Sequence, residues 1–94
     1  MTLAYVGAPR LVVDPGVYVS AAISGRGAPA QLLELAIEGQ AILLVSPLLL
    51  AELHEVLKRE RFRRYITPEE VETYVEGIVL LGEQVDDPPE DRRP

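Results

Sequence analysis

Two short apolar runs constrain the fold more than anything else in the chain. Leu11-Val12-Val13 runs into Asp14-Pro15-Gly16, and Ala41-Ile42-Leu43-Leu44-Val45 runs into Ser46-Pro47. Each run is too short for a helix and lacks the alternation of a half-exposed strand, so each reads as a strand buried on both faces. Each also ends at a helix-start signal. Proline suits the first helical position, where its missing N–H costs nothing, and a serine hydroxyl can cap free backbone amides. Buried strands separated by helices imply a parallel sheet covered on both sides.

The rest of the chain supplies those helices. Residues 15–23 read as a short helix, and SGRG (24–27) as a loop. Pro29 opens a second helix with Leu32, Leu33, Leu35, Ala36 and Ile37 apolar, stopped by Gly39. A third runs from Pro47 to about Lys58 or Arg59. Thr67-Pro68-Glu69-Glu70 is a capping box, and beyond it Val71, Tyr74, Val75, Ile78 and Val79 share one helical face until Gly82. The tail VDDPPEDRRP (85–94) has no apolar period and reads as an acidic, Pro-rich linker. Two strands are too few for such a sheet. Residues 1–84 therefore read as the N-terminal part of a single α/β domain, cut short after two strands and their helices.

Composition narrows the function classes. Ninety-four residues allow one small domain. The absence of cysteine excludes disulfides, thiolate zinc sites and a thiol nucleophile, and fits a reducing, cytoplasmic setting. No apolar run approaches the ~20 residues of a membrane span. The net charge of −6 argues against a general nucleic-acid coat protein. It hides a local pattern, however: Lys58, Arg59, Arg61, Arg63 and Arg64 are five of the nine basic residues. That spot reads either as a nucleic-acid contact or as a solvated helix end.

Asp14 and Glu52 are the candidate chemical residues. Asp14 follows the first strand, and ligand sites of parallel sheets gather outside the carboxyl ends of strands. It also fits an Asx turn or helix cap ahead of Pro15-Gly16. Glu52 sits at the edge of the apolar arc of the third helix, in its second turn, where it can face the same crevice; an ordinary boundary glutamate paired with Arg59 or Lys58 is the plainer account. Two carboxylates at one sheet edge repel unless a cation or proton intervenes. Mg²⁺ takes oxygen ligands, keeps several waters and needs one or two carboxylates. His54 reads as a boundary residue. No Gly-rich phosphate loop is present, and the four Tyr and one Phe are too scattered to suggest a platform for bases.

The stretches LVVDPGVYVSAAIS, GAPAQLLELAIEG, AILLVSPLLLAELHEVLKRERF and YITPEEVETYVEGI together resemble the N-terminal part of a PIN domain, closest to the VapC-like toxins of toxin–antitoxin systems. The resemblance covers about residues 10–82. It implies a three-layer α/β/α fold with a parallel central sheet, and a metal-dependent endoribonuclease using Mg²⁺ or Mn²⁺. By motif match, Asp14 and Glu52 would be catalytic and metal-binding, and Arg59 and Arg61 would contact the RNA substrate. An antitoxin protein and a second copy of the chain, in a homodimer, would be its partners. The chain departs from the family in two ways. Asp14-Pro15-Gly16 stands where Asp-Thr-Asn is usual, and the family's later acids follow an Arg-Asp-Pro-like segment that would begin about where Arg92-Arg93-Pro94 ends this chain. Asp86, Asp87 and Asp91 read as linker charges. A non-catalytic PIN fragment serving as an interaction module is the alternative reading, and a generic nucleotide-binding domain is disfavoured by the missing phosphate loop.

Overall fold

The computed structural model describes residues 7–87. Residues 1–6 and 88–94 lie outside the described residues, and with them Asp91 and most of the expected linker. The order is β1 (Arg10–Val12), α1 (Pro15–Ser24), α2 (Ala28–Ile37), β2 (Ile42–Val45), α3 (Pro47–Leu57), α4 (Pro68–Leu81) and β3 (Glu83–Gln84), with a 3₁₀ turn at Glu60–Phe62.

The cap chemistry read from the sequence forms the helix starts. Asp14 caps α1, Ser46 accepts the Leu49 N–H at 3.2 Å, and Thr67 and Glu70 make the reciprocal box at the head of α4. Gly25, in the left-handed region at φ 72°, lets the chain turn out of α1 while its N–H bonds the Ala21 carbonyl.

The sheet is parallel, in the order β1-β2-β3. Right-handed crossovers that step each time to the next neighbour keep their helices on one side. Accordingly α1 packs on α2 and α3, and α3 packs on α4. Tyr18, Ala36, Leu43, Val45, Leu53, Leu57, Val71 and Ile78 form one core beneath them. Leu11, Val13, Leu43 and Val45 point to that side. Val12, Ile42 and Leu44 point to the other, where Arg10 reaches across β2 to Glu83 at 2.7 Å.

Two expectations need correction. β1 is not buried on both faces: Val12 is 83% exposed. The described residues supply the sheet and one helical layer, so the outward-facing side chains have no layer over them. The sheet also does not stop at two strands, because Glu83 and Gln84 pair with Leu44 and Val45. Two polar residues carry no strand signal; their place is set by Gly82. A Cβ there would stand 3.0 Å from the Leu43 carbonyl oxygen and from both Val45 methyls, so glycine allows the chain to pass close against β2.

Candidate active site

The carboxyl ends of β1 and β2 open onto two adjoining hollows that share Asp14, Pro15 and Glu52. The larger, about 510 Å³, extends over the outer sheet face past Val12, Leu44, Leu48 and Val85. The smaller, about 290 Å³, runs the other way to Val19, Val56, Arg61 and Phe62.

Asp14 holds a double position. Its Oδ2 accepts the Gly16 N–H at 2.8 Å, which is the helix cap expected from the sequence. Its other oxygen, Oδ1, has no hydrogen-bond partner among the described residues, and Asp14 lines both hollows. Gly16 matters to this geometry: a Cβ at that position would stand 2.9 Å from Asp14 Oδ2. Glu52, exposed on the second turn of α3, has no hydrogen-bond or ion-pair partner among the described residues. The boundary pairings considered for it are made by other groups: Arg59 bonds Glu55 at 3.4 Å, and Lys58 bonds Glu72 at 2.8 Å.

The structure separates the two arginines. Arg61 lines the smaller hollow, with its Cζ 4.8 Å from the centroid of the Phe62 ring. Arg59 lines neither hollow. Sequence reasoning also passed over two residues. Asp86 lines the larger hollow beside Asp14 and Glu52. Asp87 accepts the Leu48 N–H at 2.9 Å and so adds a second cap to α3. Neither is a bare linker charge. The Val85 N–H bonds the Val45 carbonyl at 2.9 Å and draws this segment along β2 to the strand ends. Long-range pairing of that kind leaves no local mark in the sequence.

His54 points elsewhere, to Glu72 of α4 at 2.7 Å, as a boundary residue would. Lys58 meets the same Glu72 oxygen, and the hydrogen bonds from Lys58 and His54 hold that carboxyl below the usual range. The apolar groove between α2 and α4, lined by Leu33, Ile37 and Leu80 among others, holds one titratable group, Tyr74. Burial raises Tyr74 to about 12, and its hydroxyl donates to the Tyr18 carbonyl at 2.7 Å.

The side-chain donors gathered in the strand-end hollows are oxygens: the carboxylates of Asp14, Glu52 and Asp86 and the hydroxyl of Ser46. No group of three or more His, Cys, Asp or Glu side chains forms a ready cage for a metal among the described residues. The set fits a hard divalent ion that keeps most of its waters and takes one or two carboxylates. It does not fit a zinc centre, which wants nitrogen or sulfur.

Fold and site together define a class: a parallel α/β domain with paired carboxylates in the crevice outside its strand ends. A PIN domain family model matches residues 10–94, and the chain belongs to that family. PIN domains are generally divalent-metal-dependent nucleases. No curated protein and no solved structure matches the chain. No helix among the described residues is long and apolar enough to cross a membrane.

Proposed function

We propose that this protein is a metal-dependent endoribonuclease that hydrolyses RNA phosphodiester bonds, and that it is the toxin of a toxin–antitoxin pair. The observation that carries the reading is that Asp14 and Glu52 share the walls of both strand-end hollows in a PIN domain chain. Asp14 and Glu52 would hold Mg²⁺ or Mn²⁺. Such an ion, when bound, stabilises charge on a phosphate oxygen and acidifies a coordinated water.

The chain's own residues do the positioning. The Gly16 N–H fixes one Asp14 oxygen and leaves the other without a hydrogen-bond partner among the described residues. The Ser46 and Asp87 caps hold the first turn of α3, and so the height of Glu52 above the sheet. Arg61 brings positive charge to the smaller hollow, which it lines together with the two acids. In this reading an antitoxin protein silences the enzyme.

The test is cleavage of a labelled RNA with Mg²⁺, with Mn²⁺ and with chelator. Cleavage that requires the ion and is lost in Asp14→Asn and Glu52→Gln is expected. Activity surviving both substitutions together would defeat the proposal.

A second reading has its own observation. Among the described residues β1 lies at an edge of the sheet, and its Val12 is 83% exposed. Open edges recruit partners, so the chain would then act as a non-catalytic interaction module, pairing with a second copy as a homodimer or with an antitoxin. A monomer in light scattering at all working concentrations argues against it.

A further inference from the structure

Five cations crowd into residues 58–64, and the structure sorts them. Lys58 is paired with Glu72 and Arg59 with Glu55. Arg63 bonds the Lys58 carbonyl at 3.2 Å, and Arg64 lies over Tyr65. Arg61 has no carboxylate partner among the described residues and is the member of the run that lines a hollow with Asp14 and Glu52. Its guanidinium rests over Phe62, the chain's one phenylalanine.

The backbone there is tightly held. The Phe62 N–H bonds the Arg59 carbonyl at 3.0 Å, and the Phe62 carbonyl accepts from both Tyr65 and Ile66. Phe62 packs half-buried against the core, so the cation above it is carried on a fixed base.

The two ends of the crevice differ in chemistry. The larger hollow has aliphatic walls (Val12, Leu44, Leu48, Val85) beside its acids. The smaller has apolar walls (Pro15, Val19, Val56), a ring and a guanidinium. A phosphate in the smaller hollow would face two carboxylates, whereas a flat, polarisable nucleobase suits apolar walls and stacks on guanidinium planes and rings. A base inside a duplex cannot leave its stack without cost, so such a subsite favours unpaired strands.

We infer that Arg61, supported by Phe62, is a substrate-positioning pair that stacks one unpaired nucleobase next to the bond to be cut. The inference rests on the proposed ribonuclease reading, and its test is read without catalysis. Fluorescence anisotropy would follow a labelled single-stranded RNA decamer in chelator, where no ion-dependent cleavage runs, against the same decamer made abasic and against a duplex. The variants are Arg61→Lys, which keeps charge but loses the plane, and Phe62→Leu, which keeps apolar bulk but loses the ring.

Stacking on this scale makes each variant bind the normal decamer about tenfold more weakly. Abasic RNA should bind all three proteins alike, and duplex should bind the parent protein more weakly than single strand. Equal loss on abasic RNA would reassign Arg61 to a phosphate contact and overturn the inference, as would unchanged binding in Arg61→Lys. The same holds if the parent protein shows no preference for single strand. Asp14→Asn should lose cleavage yet keep the preference for the normal decamer over the abasic one, which separates this subsite from the cleavage chemistry. If Asp14→Asn still cleaves while Arg61→Lys loses binding, the nuclease assignment of the acids fails and the stacking pair stands.

Discussion

Replacing Gly16 by alanine should separate stability from activity in this protein. The new methyl would stand 2.9 Å from Asp14 Oδ2, the oxygen that already accepts the Gly16 N–H at 2.8 Å. That atom is the free end of a short side chain, so the carboxylate rotates away while the backbone stays. The helix then loses its cap, worth about 1 kcal/mol. Alanine returns a similar amount, about 0.4–1 kcal/mol, by restricting the unfolded chain. The two nearly cancel, and urea unfolding should change by less than about 0.5 kcal/mol. The site has no such compensation. Removing a group that orients a metal-binding side chain typically costs about 10–100-fold in affinity or activity. Mn²⁺ affinity, read by electron paramagnetic resonance, and RNA cleavage should fall within that range. A variant with full activity and full Mn²⁺ affinity would show that Gly16 does not orient Asp14 for function. A variant destabilised by more than about 2 kcal/mol would refute the claim that the clash is relieved by a side chain alone.

Other outcomes follow from the packing. Gly82→Ala pushes a methyl against a ladder carbonyl and two Val45 methyls at 3.0 Å, and should destabilise by about 1–3 kcal/mol in urea unfolding. Unchanged stability there would mean that β3 does not need the close approach. Burial raises Tyr74 to about 12, above its ordinary 10.0, so its contribution is complete below pH 10 and is lost as pH climbs toward 12. Stability measured across that window should fall, and fall less steeply in Tyr74→Phe, which otherwise costs about 1 kcal/mol for the lost bond to Tyr18. Glu72, held low by Lys58 and His54, contributes above its ordinary value of 4.5 and loses that contribution as pH falls below it. Glu72→Gln should therefore flatten the acid side of the stability profile, and an unchanged profile would mean that this α3–α4 clamp is inert.

The local elements were legible because their causes are local. Pro15, Ser46-Pro47 and the Thr67–Glu70 box each act within one turn, and all three helices begin where those signals stand. The parallel sheet followed from two apolar runs separated by helices. Asp14 and Glu52 were legible as carboxylates near strand ends, since each follows its strand by a few residues.

Tertiary structure decided the rest, because contacts between residues far apart in the chain depend on how the elements stack. The run Leu11–Val13 reads as buried on both faces, yet the core gathers on the side of Leu11 and Val13 and leaves Val12 83% exposed. Asp86 reaches the acids through strand pairing some forty residues away in sequence, a bond that depends on Gly82 having no side chain. The basic run 58–64 looks uniform as letters. Only the packing of α3 on α4 and the 3₁₀ turn after α3 assign Lys58 to an ion pair and Arg61 to the crevice, since charge alone cannot say which cation has a carboxylate within reach.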